Sequence, residues 1–288
     1  MKIITTPRTT KELKKLIKYC DAFLLGIKDY SVNCSNSFNL EEIIKLNKII
    51  KKNRKQIFIN LNKNLHNEDI KNIKYILLEL NKLNIDGLFF YDIGIVNLKK
   101  KLCLNYDLVW AQEHFTTNYN TCNYWYDLNV KYGFISSEIT KENILEIKKN
   151  TSMKLIVTLF GHVPMFTSKR HLVDNYLKHF NLTNKGTYIR KENKQYPIVD
   201  NKEGTTVYSN YVLNAIDEYL ELSNNNIDYV FLNNFNIKQT QFRKIVQKHF
   251  KLTPNNLNKT KTYFEKLNLN LSKGFLYTET IYKVKNNE

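Results

Sequence analysis

The sequence has little of what would place a protein in or outside a membrane. No apolar run approaches the roughly 18 residues that a bilayer span needs, and Met1-Lys2-Ile3-Ile4-Thr5-Thr6-Pro7 carries neither a long apolar stretch nor a small-residue cleavage site. The expectation is a cytoplasmic protein that is neither secreted nor membrane-spanning. Cysteine is scarce: Cys20, Cys34, Cys103 and Cys122 lie far apart, with no CxxC or CxxxC pair. That spacing argues against a zinc knuckle and a disulfide scaffold, and predicts free thiols in a reducing compartment. There is also no GxGxxG, P-loop, nucleophile elbow or HExxH sequence, which leaves dinucleotide, nucleoside-triphosphate, serine-hydrolase and zincin chemistry without support.

Acidic residues are outnumbered, 27 Asp plus Glu against 44 Lys plus Arg, for a formal charge of +17. A balance of that size favours polyanions through counterion release, and RNA is the first partner to consider. The chain is also flooded with Lys, Asn and Ile, as an AT-rich genome produces, so many lysines can be plain solvated faces. A clustered patch, not a total, is a binding footprint.

What is present is an alternation of short β-branched or aromatic runs with amphipathic, lysine-rich segments, the pattern of a parallel sheet wrapped by helices. Strands are predicted at Ile3 to Thr6, Ala22 to Ile27, Gln56 to Leu61, Gly87 to Tyr91, Leu108 to Gln112, Gly133 to Ser137, Lys154 to Phe160 and Asp228 to Leu232. About eight is the barrel number, so the fold class is α/β, a TIM-like (β/α)8 barrel with room for distortion. Helices are predicted at Thr10 to Tyr19, Leu40 to Lys52, Glu68 to Leu83, Asn118 to Leu128 and Lys141 to Lys149, with Asn39 and Thr140 as N-caps. The repeat breaks after strand seven, where a helix from Arg170 to Phe180 leads into a β-rich stretch. We therefore expect one barrel domain over residues 1–251 with an insertion at about 182–210, and a C-terminal extension, 252–288, folded back on the barrel.

The C-terminal ends of barrel strands converge on one face, where chemistry is expected. Strand four ends at Asp92, strand five at Gln112-Glu113-His114, strand six at Ser137-Glu138 and strand seven at Gly161-His162, so three carboxylates and two histidines are expected around one cavity. Carboxylates gathered in a partly desolvated mouth suit general acid or base work. The alternative is that they cap helices or pair with lysines. Glu113, His114 and His162 would make a two-His, one-carboxylate metal set only if all three converged, which neighbours on a strand do not readily do, so no metal is assigned. Ser168-Lys169-Arg170-His171 is read as a helix start beside the mouth, with Arg170 as principal anion contact. Aromatics and amides interleave from Phe115 to Trp125, where Tyr119, Tyr124 or Trp125 could stack a base or serve as core.

Thr116-Thr117-Asn118-Tyr119, Thr121-Cys122-Asn123-Tyr124-Trp125, Met165-Phe166, Ser168-Lys169-Arg170, Asn175-Tyr176, Tyr196-Pro197, Glu203-Gly204-Thr205 and Glu279-Thr280-Ile281-Tyr282 together resemble the collagenase-like peptidase family of unknown catalytic type, the thirty-second of the "U" class. More narrowly, the chain resembles the shorter bacterial paralogue of the prephenate-dependent system that converts the tRNA wobble uridine to 5-hydroxyuridine. The resemblance implies a tRNA-modifying enzyme that binds tRNA and uses prephenate, a small dianion, as co-substrate, alone or with a longer paralogue. It falls on Glu113, Glu138, Asn118, Asn123 and Ser168-Lys169-Arg170, with Tyr124 and Tyr196 as further substrate contacts. Two departures concern the site: Phe160-Gly161 stands where relatives carry His-Gly, with His162 just beyond, and Ser137 where relatives often have Arg. A third concerns the iron–sulfur cluster that several relatives hold with four cysteines late in the chain. Here no cysteine follows Cys122, so neither a cluster nor another tightly bound cofactor is expected. The departures keep a non-catalytic, RNA-binding partner subunit open as an alternative, beside the peptidase that the family name implies.

Overall fold

A computed structural model describes residues 1–112, 114–183 and 186–278. Seven parallel strands come first: β1 (Lys2–Thr5), β2 (Ala22–Gly26), β3 (Gln56–Leu61), β4 (Gly87–Phe90), β5 (Asp107–Trp110), β6 (Tyr132–Phe134) and β7 (Lys154–Gly161). An excursion carries β8 (Pro164–Ser168), β9 (Tyr188–Lys191), β10 (Lys194–Asn201) and β11 (Gly204–Tyr208), followed by β12 (Val212–Asn214). The chain then returns as β13 (Tyr229–Leu232), which lies parallel to both β7 and β1 and closes an eight-stranded (β/α) barrel.

Alternation along the strands fills two apolar compartments. Ile4, Leu24, Phe58, Phe89, Val109, Tyr132, Ile156, Tyr229 and Phe231 form one buried cluster inside the barrel. Their neighbours Ile3, Phe23, Leu25, Ile57, Ile59 and Val230 belong to a second, beneath the helices. Phe58 meets Phe89, Tyr132 and Tyr229 edge-on at ring separations of 5.6 to 5.9 Å, the offset geometry that aromatic rings prefer.

The first six crossovers are α1 (Thr10–Leu16), α2 (Leu40–Lys52), α3 (Ile70–Lys82), α4 (Gly94–Lys101), α5 (Tyr119–Asp127) and α6 (Lys141–Lys149). Asn39 and Thr140 are N-caps as predicted, Asn39 within a full capping box with Glu42. Helix α7 (Leu172–His179) belongs to the excursion; α8 (Tyr219–Asn224), α9 (Gln239–Phe250) and α10 (Leu257–Glu265) follow.

Two expectations about the excursion change. Its antiparallel sheet, in the order β8-β11-β10-β9, already begins at Pro164, before the helix rather than at about 182. Ser168 closes a strand, and the helix starts at Leu172 instead of at the Ser168-Lys169-Arg170 run. The physical reason is a long-range pairing, Phe166 against Val207 and Ser168 against Thr205, that local spacing does not reveal.

The tail docks on the barrel: β14 (Leu271–Ser272) pairs with β12, Phe264 of α10 packs on Phe160 with rings 5.7 Å apart, and Lys141 N–H donates to the Leu276 carbonyl. Glu279-Thr280-Ile281-Tyr282 lies outside the described residues.

Candidate active site

At the C-terminal end of the strands is a cavity open to solvent, floored by Phe89, Phe134 and Phe231. Its polar wall comes from the ends of five strands and the loop after β2: Thr6, Asn33, Cys34, Ser35, Asn60, Asn62, Ser137, Glu138, Thr158, His162 and Asn233.

His162 is the most constrained group here. Gly161, at φ +122°, turns the chain at the end of β7, and a Cβ there would stand 2.5 Å from the Asn233 carbonyl oxygen. The Asn233 amide then holds the His162 carbonyl at 3.0 Å. His162 Nδ1 lies 2.8 Å from the Ser209 carbonyl, an acceptor only, so Nδ1 carries the proton and Nε2 the lone pair. Burial pushes its pKa below the ordinary histidine value, partly offset by the hydrogen bond to Ser209, so the ring is neutral near pH 7.

Glu138 and His114 also line the cavity, with His114 Nδ1 3.4 Å from the Glu138 carboxylate; both side chains are about two-fifths exposed. Ser136 Oγ accepts the Glu138 N–H at 3.2 Å and fixes the backbone there. Glu113 lies outside the described residues.

Asp92 corrects the expected cluster, because its carboxylate is taken up by the backbone. One oxygen accepts the Gly94 N–H at 2.8 Å at the start of α4, the other the Leu65 N–H at 2.9 Å in the loop after β3. It ties two loops together and does not line the cavity.

The expected anion contacts lie elsewhere too. Among the described residues, neither Lys nor Arg lines the mouth cavity. Lys169 reaches across to the loop after β3, donating to the Asn64 carbonyl at 2.7 Å with His66 Nε2 at 2.9 Å. Arg170 is exposed on the excursion; its N–H is held by Ser168 Oγ and its carbonyl by Thr205. Tyr196, half-buried, stands on β10 of the same excursion.

Asn118 caps α5 by accepting the Thr121 N–H, and Asn123 ties α5 to the Asn150 carbonyl at the end of α6. Trp125 is core, stacked on Trp110 at 4.1 Å, whereas Tyr124 is 62 % exposed on the outer face of the barrel helix. The interleaved aromatics and amides therefore divide into a packing face and an outer face, away from the mouth cavity.

The four cysteines do not fit a thiolate cluster. Cys20 and Cys122 are buried, Cys34 is at the mouth, Cys103 is exposed after α4, and burial pushes the thiols of Cys20, Cys34 and Cys122 up. The group that could gather around a cation among the described residues is His171, Asp174 and Asp200, on the excursion. There Asp200 accepts the Val173 and Asp174 N–H groups and pairs with His171, which is what capping α7 requires.

Sequence patterns did not single out Asn33, Asn60, Asn62 and Asn233. In so Asn-rich a chain they are inconspicuous, although Asn60, Asn62 and Asn233 each end or follow an apolar strand run, which is the signal that marks them.

Fold and site together define a (β/α)8 barrel protein with a cavity at the C-terminal mouth that joins an aromatic floor to a polar wall. More particularly, the chain belongs to peptidase family U32, whose model matches residues 8–280. It is similar to tRNA hydroxylation protein P2 of Bacillus subtilis (strain 168), 27% identical over 237 residues that cover 78% of this chain and 77% of that protein. It also resembles tRNA hydroxylation protein P1 of the same organism, 21% identical over 58% of this chain but only 40% of that protein. Among solved structures, the U32 peptidase Mk0906 superposes with a TM-score of 0.53 at 11% identity, covering 81% of this chain and 92% of that one, a likeness of fold.

Proposed function

We propose that this chain works in tRNA hydroxylation, converting the wobble uridine to 5-hydroxyuridine with prephenate as co-substrate, with tRNA as its macromolecular partner and a longer paralogue as a second subunit. The observation that carries this is the mouth cavity: a neutral histidine with its Nδ1–H fixed on the Ser209 carbonyl and the lone pair left on Nε2, beside neutral amides and hydroxyls over an aromatic floor. That lining suits a small ring bearing oxygen functions, and Nε2 is a proton acceptor at neutral pH. The similarity to a tRNA hydroxylation protein over most of both chains and the +17 charge support the RNA side. Catalysis is assigned to His162 and Glu138, and the protein needs no iron–sulfur cluster or other tightly bound cofactor.

A specific observation favours a second reading: with neither Lys nor Arg in the cavity lining among the described residues, a dianion would lack a cationic partner there, as expected of a subunit that supports a catalytic paralogue. Peptidase chemistry gains nothing, since among the described residues no hydroxyl or thiol is hydrogen-bonded to a histidine ring.

Mass spectrometry of tRNA nucleosides from a strain lacking the gene tests both. Loss of 5-hydroxyuridine supports the system assignment; an unchanged nucleoside profile overturns it. Complementation with H162N, whose amide can keep the Ser209 contact but offers no Nε2, should restore less than about one hundredth of the rate if His162 is the base. Full restoration by H162N would leave the supporting-subunit reading.

A further inference from the structure

The excursion carries a surface that the mouth cavity does not use. Of the sixteen large hydrophobic side chains exposed on the described protein, eight lie between Met165 and Ile189. Tyr176 of α7 and Phe180, the C-cap of that helix, are 57 % and 55 % exposed, one turn apart on the same side, with rings 4.7 Å from centroid to centroid. Across an open groove with about 1270 Å³ of empty space stand Phe166, Tyr188 and Ile189 of the sheet.

Cations accompany each group of rings. Lys178 and His179 sit beside Tyr176 and Phe180, Lys169 and Arg170 follow Phe166, and Arg190, Lys191 and Lys194 follow Tyr188; all are exposed. From Pro164 to Tyr208 the sequence has eight Lys and Arg against four Asp and Glu. One of those acids, Asp200, is buried and turned to the start of α7, with 1 % of its side chain exposed, so it does little to neutralise the surface.

This surface is braced over the mouth. Asn33, in the loop after β2, exchanges hydrogen bonds with the Thr167 hydroxyl of β8 and accepts one from the Thr206 hydroxyl of β11, and Pro164 of β8 itself lines the mouth cavity.

Rings on an open face with cations at their edges are what unpaired nucleotides require, π-surfaces to stack on and positive charge along the backbone. A second copy of this chain would bring a rim of the same sign against it, which disfavours self-association. We infer that the α7/β8/β9 face of the excursion is a docking platform for single-stranded RNA, holding the nucleotides that flank the one presented to the barrel mouth. The inference rests on the tRNA reading above and assigns a place to it.

Fluorescence anisotropy of the full chain with a fluorescein-labelled tRNA anticodon stem-loop tests it. Y176A/F180A should weaken binding at least about tenfold, since stacking contributes on the order of 1–3 kcal/mol per base, while Y176F/F180Y, which keeps both rings, should bind as the parent does. R190A/K191A should lower the slope of log affinity against log salt by about 0.7 for each phosphate that these side chains neutralise in the parent. All these side chains are exposed, so the variants should melt as the parent does. Parent-like binding by Y176A/F180A overturns the platform and leaves the tRNA reading standing. Absence of binding by the parent overturns the tRNA reading itself. If Y176A/F180A keeps its RNA affinity but no longer associates with the longer paralogue, the face belongs to a protein partner and the inference is wrong.

Discussion

Gly161 shows how much a single position can decide. Its φ of +122° is open to glycine and strained for other residues, and the Asn233 backbone occupies the space a side chain would need. Gly161→Ala should therefore destabilise the fold by at least about 1–3 kcal/mol from backbone conformation alone, read as a lower urea midpoint. Because His162 follows directly, activity should fall further than stability does. The sequence displayed Phe160-Gly161-His162 as a strand end, but not that His162 Nδ1 would find the Ser209 carbonyl. That partner lies 47 residues on, across the whole excursion, and no local spacing encodes it.

At the scale of elements, the barrel strands were legible because strands buried on both faces read as unbroken apolar runs between lysine-rich helices. The helix caps Asn39 and Thr140 were legible because capping is local chemistry. Asp92 marks where local chemistry stops being informative. A carboxylate at a strand end looks the same whether it faces a cavity or a backbone, and only the structure shows both of its oxygens on N–H groups. Asp92→Ala should cost about 1–3 kcal/mol, as expected for hydrogen bonds to a charged acceptor, without a specific loss of activity per folded molecule. Chemical denaturation and activity measured on the same preparation check this. An activity loss far beyond the unfolded fraction would return Asp92 to the chemistry.

For the whole molecule, pH should report on buried histidines. His249 is enclosed by Phe160, Tyr219 and Phe264, and burial pulls its pKa down to about 4. Below the ordinary value of about 6.5, the unfolded chain binds a proton that the folded chain refuses, so stability falls as pH drops from about 6.5 to about 4. His162, also lowered by burial, acts in the same direction. The loss from His249 should reach about 3 kcal/mol, visible as a falling urea midpoint between neutral and acid pH. His249→Leu, which removes the titrating ring, should flatten that limb. A parent whose stability is level over this range would show that another group compensates.

The order of the barrel strands, the closure number, the helix caps Asn39 and Thr140 and the surplus of positive charge follow from the sequence alone, because periodicity, capping and charge are local or additive; helices α4, α8 and α9 and the strand order of the excursion do not. The tertiary structure decided which polar groups meet. It turned Asp92 to the backbone, brought Asn33, Asn60, Asn62 and Asn233 to the mouth, set the neutral tautomer of His162, and moved Lys169 and Arg170 from the cavity to the excursion. Each of these outcomes depends on a pairing between residues far apart in the chain, such as β8 against β11 or His162 against Ser209, and neither partner's own neighbourhood specifies such a pairing.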